Sequence, residues 1–334
     1  MQKPTVDVVG LGLNATDTVV LIREFPPLGG KERVRSISRQ AGGQIATALV
    51  ACQRLGLRTR YIGTVGGDEA GRFQLQSLAE EGIDVRFTRL VRGAPTQFGL
   101  IILDESTGER TVFWDRDPRL AISAADLKPE AVTSARALHL DGCDVEACIQ
   151  AACWARRAGI PVVADLDTVY KKVEKLFPLI DYLLASANFP PAVTGHKNPF
   201  RALESLAREY GIPAPGMTLG RDGALVFAEG QFYYSPGFVV ETLDTTGAGD
   251  VFHGAFIYGL LQGWKLDRLL DFSNAMAVLN CTKLGARGGI ATRKAAERLM
   301  AQGARHRNPA LERHSRANRK RQPAPSLKTQ RKSH

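Results

Sequence analysis

The sequence contains no run of about eighteen uncharged apolar residues, so it predicts no transmembrane helix. The first residues, MQKPTVDVVGLG, also lack a basic segment followed by an apolar stretch and a cleavage site. We therefore predict neither a secretory signal nor a membrane partner, and expect a cytoplasmic location.

Cysteine is scarce. The chain has five cysteines, an odd number, and no two of them form a C-x-x-C pair, which argues against a zinc site and against a disulfide framework. We interpret them as small buried thiols in a reducing cytoplasm. They are Cys52, Cys143, Cys148, Cys153 and Cys281.

The body of the chain has almost no net charge. The whole sequence carries +10, but residues 303–334 alone contain ten lysines and arginines against one acid, Glu312. We predict that one folded unit spans residues 1–302 and that residues 303–334 form a basic, disordered tail. A solvated tail without a dedicated partner is one interpretation of this segment, and a weak hold on nucleic acid is the other.

Two common nucleotide-binding motifs are missing. No G-x-x-x-x-G-K-[ST] sequence occurs. The stretch VVGLGLNA fits G-x-G-x-x-A at Gly10, Gly12 and Ala15, but a β-branched run follows it where a dinucleotide site needs a helix. The sequence therefore disfavours a nicotinamide cofactor and an oxidoreductase function.

Short apolar strands alternate with helical patterns over most of the chain, which predicts an α/β protein with a parallel sheet covered on both faces. Two β-rich insertions, at about residues 16–40 and 95–117, interrupt this order without helices between their strands. We expect the two insertions to form one small separate sheet, a lid over a site.

The stretch LDTTGAGDVFHGAF indicates an anion site at the start of a helix. Gly247 and Gly249 let successive N–H groups point into one concavity at the positive end of that helix. A phosphoryl group in transfer needs such donors. Asp250, on the first turn, can accept a proton from an attacking hydroxyl. The alternative, a simple N-cap, would require neither the glycines nor Asp244.

These residues carry a family resemblance. LDTTGAGDVFHGAF resembles the C-terminal signature of the ribokinase-like (PfkB) carbohydrate kinases, and AGGQIATALVACQRLG with TVGGDEAGR resembles their N-terminal signature. The resemblance covers about residues 5–300. It implies a three-layer α/β/α sandwich with a mostly parallel central sheet and a small β-sheet lid. It also implies ATP-dependent phosphorylation of a small sugar's hydroxyl, with Mg²⁺.

The resemblance assigns roles residue by residue. Asp250 would be the catalytic base, with the backbone of Gly247, Ala248 and Gly249 as the anion hole. The residues expected at the substrate are Asn14, Asp17, Gly42, Gly43 and Thr47, and those expected at the nucleotide are Asn188, Thr218, Gly220, Gly223 and Asn274. Asp244 is a candidate ligand for a monovalent cation such as K⁺.

Two positions depart from the family pattern. Thr47 stands where many relatives have an asparagine that contacts sugar hydroxyls, so the substrate can differ from ribose. Pro191 stands where the N-x-x-E motif beginning at Asn188 would place a glutamate that orders water around Mg²⁺. Another acid, Asp165 or Asp167, or water alone would then complete that shell.

Several alternatives remain at this point. Trp114, Arg116 and Arg119 either close over the substrate, which would favour an acidic sugar, or are solvated strand residues. Asp17 is either a ligand of sugar hydroxyls or a turn residue. The activity could be that of a nucleoside kinase, or the chain could be a non-catalytic sugar-binding regulator. The apolar lid could also pair with a second copy of the chain.

Overall fold

The structure is a computed structural model and describes residues 4–319. In this part of the chain thirteen strands form two sheets. The strands are β1 (Val8–Leu11), β2 (Ala15–Ile22), β3 (Val34–Gly42), β4 (Thr59–Gly66), β5 (Asp84–Val91), β6 (Phe98–Asp104), β7 (Arg110–Asp115), β8 (Ala137–Leu140), β9 (Val162–Ala164), β10 (Tyr182–Ser186), β11 (Ala214–Thr218), β12 (Ala224–Ala228) and β13 (Gln231–Ser235).

Within residues 4–319, ten α-helices connect and cover these strands. They are α1 (Gln44–Arg54), α2 (Glu69–Glu80), α3 (Pro129–Thr133), α4 (Val145–Ala158), α5 (Phe189–Thr194), α6 (Pro199–Glu209), α7 (Ala248–Leu261), α8 (Leu266–Asn280), α9 (Arg293–Gln302) and α10 (Pro309–Arg319). No helix in residues 4–319 is long and apolar enough to cross a membrane.

The large sheet has nine strands in the order β13-β12-β11-β10-β9-β8-β1-β4-β5. All neighbours are parallel except β11–β12 and β12–β13. Successive strand residues point to opposite faces: Val8 packs among residues of α1, α7 and α8, and Val9 among residues of α3, α4 and α6. The predicted α/β/α sandwich is confirmed.

The two β-rich insertions form the expected second sheet. Its strand order is β3-β2-β6-β7, with β2 and β6 parallel and both outer pairs antiparallel. In its register Asp17 pairs with Gly99, and Gly99 pairs with Trp114. Paired residues on neighbouring strands share a face, so these three residues lie on one side of the small sheet.

The loop after β1 contains no helix. Strand β2 begins at Ala15, directly after Gly12 and Asn14. Gly12 has a φ of 151°, and a Cβ there would lie 2.1 Å from Asp141 Oδ2, so the glycine serves close contact with the loop after β8. The helix that a dinucleotide fingerprint requires therefore does not follow these glycines.

The predicted boundary at residue 302 is wrong for the segment that follows it. Arg305 forms an ion pair with Asp271 and stacks on Phe238, and α10 packs on β13 with Leu311 buried. The many positive charges suggested a solvated segment, but these apolar and paired contacts hold residues 303–319 on the body. The remainder of the predicted tail, residues 320–334, lies outside the described residues.

The five cysteines are free thiols, but the prediction that all are buried is wrong for Cys143 and Cys153, which are half-buried. Cys52, Cys148 and Cys281 are buried, and burial raises the pKa of each of these three thiols.

Candidate active site

The loop before α7 brings backbone donors to an open space. Gly247 has a φ of 75°, and a Cβ there would lie 2.4 Å from Ala286 O, so only glycine fits. A Cβ on Gly249 would meet no atom within 4 Å. Within residues 4–319 the N–H groups of Gly247 and Gly249 donate to no protein oxygen, whereas that of Ala248 lies 3.3 Å from Thr245 O. The first turn of α7 therefore offers free donors to a ligand.

Asp250 is half-buried beside these donors. Burial raises the pKa of its carboxyl to about 8, and the negative charge of Asp165 acts in the same direction, while His253 and Arg110 oppose the increase. A carboxylate with a raised pKa is a better proton acceptor than an ordinary one. The position and the pKa both suit the role of a base.

Asp17 lies on β2 between two glycines. A Cβ on Gly42 would come within 1.9 Å of Asp17 Oδ2, and a Cβ on Gly99 within 2.6 Å of Asp17 Oδ1. Asp17 is buried, and this burial raises the pKa of its carboxyl to about 6, against the attraction of Arg287. Gly99 was not predicted, although a glycine within an apolar strand is a sign of close approach.

Asn14 is buried and directly precedes β2, the strand that carries Asp17. Its Nδ2 donates to Thr64 O at 2.9 Å and to the hydroxyl of Tyr61, which itself donates to Gly12 O. Its Oδ1 has no partner among the described residues. Gly43, with a φ of 90°, packs against the Asn14 backbone, where a Cβ would lie 2.3 Å from Cα. The arrangement leaves one fixed acceptor, Asn14 Oδ1, without a protein partner.

Thr47 is fully buried on α1 and contacts an arginine that the sequence did not identify. Arg287 Nε lies 3.4 Å from Thr47 Oγ1, and its other nitrogens donate to Ser77 Oγ at 3.1 Å and to Gly42 O at 2.9 Å. The arginine thus joins the loop after α8 to the end of β3. The role of Thr47 at the substrate stays a prediction.

The expected nucleotide loop is a tight turn between β11 and β12. Thr218 ends β11, Leu219 N donates to Gly223 O at 2.7 Å, and Gly220 is exposed with a φ of 57°. A Cβ on Gly223 would lie 2.0 Å from Ser235 O. The glycines therefore permit the turn.

Asn188 and Asn274 differ in their surroundings. Asn188 is exposed after β10, where its side chain makes no capping bond to α5. Asn274 is buried on α8, and its Nδ2 donates to Ser235 O and Oγ at 2.9 and 2.8 Å. Asn188 is thus open to a ligand. Asn274 instead holds the end of β13, which lies beside the 218–223 turn.

Asp244 is fully buried. Its Oδ1 accepts from Thr246 N at 2.8 Å and its Oδ2 from Gly285 N at 2.7 Å. The carboxylate therefore ties the loop before α7 to the loop after α8.

A buried acid, Asp165, and a buried histidine, His253, form a pair near Asp250 that the sequence did not predict. Asp165 follows β9, and its Oδ2 is 3.4 Å from His253 Nδ1. The two His253 nitrogens each lie 2.7 Å from a carbonyl oxygen, of Gly249 and of Leu184. Burial raises the pKa of Asp165 and lowers that of His253. His253 in this way holds the first turn of α7 against β10.

Asp141 was also missed by the sequence analysis. It follows β8 and accepts from the N–H of Leu13 and of Cys143. Burial raises its pKa to about 7. The sequence pattern that could have identified Asp141 is an aspartate directly after a predicted buried strand.

The three residues considered for closing over the substrate are placed differently. Arg116 is largely buried and binds both oxygens of Asp144 at 3.0 and 2.7 Å. Arg119 is exposed and paired with Asp117. Trp114 is exposed on the same side of the lid as Asp17. The argument for an acidic sugar from these two arginines therefore has no support.

Comparison with known proteins identifies the family. The model of the pfkB family carbohydrate kinases matches residues 6–293. The chain belongs to that family. Membership makes it a phosphotransferase that acts on an alcohol group.

Two curated relatives illustrate the range of substrates. The chain is similar to a ribokinase of Haemophilus influenzae, at 27% identity over 88% of this chain and 97% of the relative. It is also similar to a 5-dehydro-2-deoxygluconokinase of Geobacillus thermodenitrificans, at 26% identity over 74% of this chain and 80% of the relative.

Two solved structures share the fold. A candidate ribokinase from Agrobacterium tumefaciens superposes with a TM-score of 0.84, at 28% identity over 89% of this chain and 98% of that one. A candidate ribokinase II from E. coli, in complex with ATP and Mg²⁺, has a TM-score of 0.76 at 21% identity over 89% and 99%. ATP and Mg²⁺ are thus ligands of a protein with this fold.

Proposed function

We propose that the protein transfers the γ-phosphoryl group of ATP to a hydroxyl of a small sugar or sugar acid. The observation that carries the proposal is the first turn of α7, where Asp250 lies beside the free N–H groups of Gly247 and Gly249 and an open space. Backbone donors next to a carboxylate of raised pKa are what phosphoryl transfer to a hydroxyl requires.

In the proposed reaction the sugar hydroxyl oxygen attacks the γ-phosphorus, and the bond from that phosphorus to the β–γ bridging oxygen breaks. The hydroxyl proton passes to the Asp250 carboxylate, and ADP leaves with the bridging electron pair. Free N–H groups at the helix terminus stabilise the negative charge on the transferred oxygens. His253 keeps that turn in place through its contacts to Gly249 O and Leu184 O.

The proposed sugar site is the space over Asp17. The carboxylate is buried between Gly42 and Gly99, and the unpartnered Asn14 Oδ1 offers a second acceptor. Two fixed acceptors suit a ligand with several hydroxyl donors. Trp114, on the same side of the lid, would contact the sugar when the lid closes and water leaves the site.

The proposed nucleotide site is the 218–223 turn and the exposed Asn188, which follow neighbouring strands β11 and β10. Within residues 4–319 no group of three or more acids, histidines or cysteines is arranged to hold a metal ion. Mg²⁺ would therefore arrive with ATP, next to Asp165 or Asp167, and its chemistry there would be to neutralise phosphate charge.

The lid also supports a proposed homodimer. Its side away from Asp17 exposes Ile37, Phe98 and Phe113, which are 66%, 48% and 52% accessible. A patch of large apolar side chains on a β-sheet is rare on a monomer. We expect a second copy of the chain to cover it.

The experiment is to measure ADP release over a panel of pentoses, hexoses, sugar acids and nucleosides, with Asp250→Asn as the control. One sugar or sugar acid should support turnover, and the variant should not. A nucleoside as the preferred substrate, or binding of a sugar without turnover, would contradict the proposal and favour a nucleoside kinase or a binding protein.

A further inference from the structure

Two loops meet beside the proposed anion hole, and a buried negative charge lies between them. They are residues 243–247, before α7, and residues 281–289, after α8. Asp244 bridges them through the N–H groups of Thr246 and Gly285, and it is fully buried. No lysine or arginine within residues 4–319 forms an ion pair with it. A buried carboxylate in this position suggests a bound cation.

Two carbonyl oxygens near Asp244 in the chain, one from each loop, already share a partner. Asn280, the last residue of α8, is fully buried. Its Nδ2 donates to Thr246 O at 3.2 Å and to Ala286 O at 3.0 Å, one carbonyl from each loop. An amide nitrogen has two hydrogens, and here both are used.

The rest of the Asn280 side chain fixes its orientation. Its Oδ1 accepts from Gly289 N at 3.1 Å, so an amide turned by 180° would lose three hydrogen bonds. A cation placed between Thr246 O and Ala286 O would lie against the positive hydrogens of this amide. Among the side-chain oxygens of the two loops, the Thr246 hydroxyl lacks a partner in the part of the chain that the structure describes, and one hydroxyl does not make a cation site.

We propose that the side-chain amide of Asn280 takes the place of a monovalent cation in joining these two loops. The residues around Asp244 therefore do not fit K⁺, and the two loops need no K⁺ to hold the anion hole in place. For activity, this inference rests on the proposed kinase function. For the stability of the loops, it does not.

The test compares the wild-type protein with Asn280→Asp in KCl and in choline chloride at equal ionic strength. Aspartate keeps the shape and the acceptor for Gly289 N, but it replaces the amide hydrogens with a charged oxygen facing two carbonyls. The wild type should unfold at the same temperature in both salts. The variant should unfold several degrees lower in choline chloride and recover in KCl. Asn198→Ala, which removes the cap of a different helix, α6, should lower the unfolding temperature equally in both salts.

Kinase activity is the second readout. Wild-type turnover should differ less than twofold between the two salts, and Asn280→Asp should need KCl. A tenfold activation of the wild type by K⁺ would overturn the inference, as would a folded variant with no preference for KCl. If Asn280→Asp folds in neither salt, Asn280→Ala replaces it. Its unfolding temperature and its turnover should then both be higher in KCl than in choline chloride. If no substrate is turned over, the proposed function fails but the unfolding temperatures still test the inference.

Discussion

The Asp17 carboxylate lies directly over Gly42, so close that a Cβ on the glycine would be 1.9 Å from Oδ2. The two residues are on adjacent antiparallel strands of the lid. The glycine therefore makes room for the charge that we expect to bind sugar hydroxyls.

Gly42→Ala should weaken sugar binding by roughly ten- to a hundredfold, the effect of losing a charge-assisted hydrogen bond of about 1.5–3 kcal/mol. The new methyl group must displace the carboxylate, while ATP affinity should change little. Calorimetric titration with sugar and with ATP measures both. In an Asp17→Ala background the same change should cost almost nothing, because no carboxylate is displaced. Equal costs in both backgrounds would contradict the arrangement.

Gly249→Ala should lower turnover at least tenfold without lowering stability. The added methyl group meets no protein atom within 4 Å, so it should enter the space where the transferred phosphoryl group must lie. Alanine in place of glycine should stabilise a helix by up to about 1 kcal/mol. The matched control is Gly254→Ala on the same helix, where a Cβ would lie 2.5 Å from Ala48 O and should destabilise the fold. Normal turnover by a folded Gly249→Ala protein would place the anion elsewhere.

The pH dependence of stability should show the cost of partly burying the Asp250 carboxylate. Its pKa is about 8 in the folded protein against about 4 in an unfolded chain, so the folded state binds this proton more tightly. Stability is then lost as the pH rises from about 4 to about 8. Asp250→Asn should unfold at the wild-type temperature at pH 4 and at least about 2 °C higher at pH 8. A difference that shrinks towards pH 8 would contradict the raised pKa.

The catalytic activity should increase with pH over the range in which the stability decreases. The base must be ionised, so kcat/KM should increase with pH until about 8 and then level off.

The order of elements could be predicted from the sequence because each strand and helix has its own local pattern. The small sheet could be predicted because residues 16–40 and 95–117 have β-rich patterns without helices between them. Gly99, Arg287 and the contact of Asp165 with His253 could not, since they depend on which elements meet in the fold. Those contacts join residues that are distant along the chain, such as Arg287 and Gly42, and no local pattern encodes them.

The C-terminal segment shows the limit of composition. Its charges predicted disorder from residue 303, but Arg305 is paired with Asp271 and Leu311 is buried. Ending the chain after Gln302 should therefore destabilise it, since burying one leucine contributes about 1.5–3 kcal/mol. Ending it after Arg319 should leave unfolding temperature and turnover unchanged. Equal stability of the two truncated proteins would contradict these contacts. Nucleic-acid binding by the full chain, if observed, should decrease steeply with salt.

The most direct test of the proposed mechanism is the turnover of Asp250→Asn with the best substrate from the panel. The amide keeps the shape of the carboxylate but does not accept the proton at neutral pH. The variant should fold, bind ATP and sugar, and lose turnover by roughly 10²–10⁴, the contribution of a positioned acid–base group. Turnover within a few-fold of the wild type, with both ligands bound, would show that Asp250 is not the base.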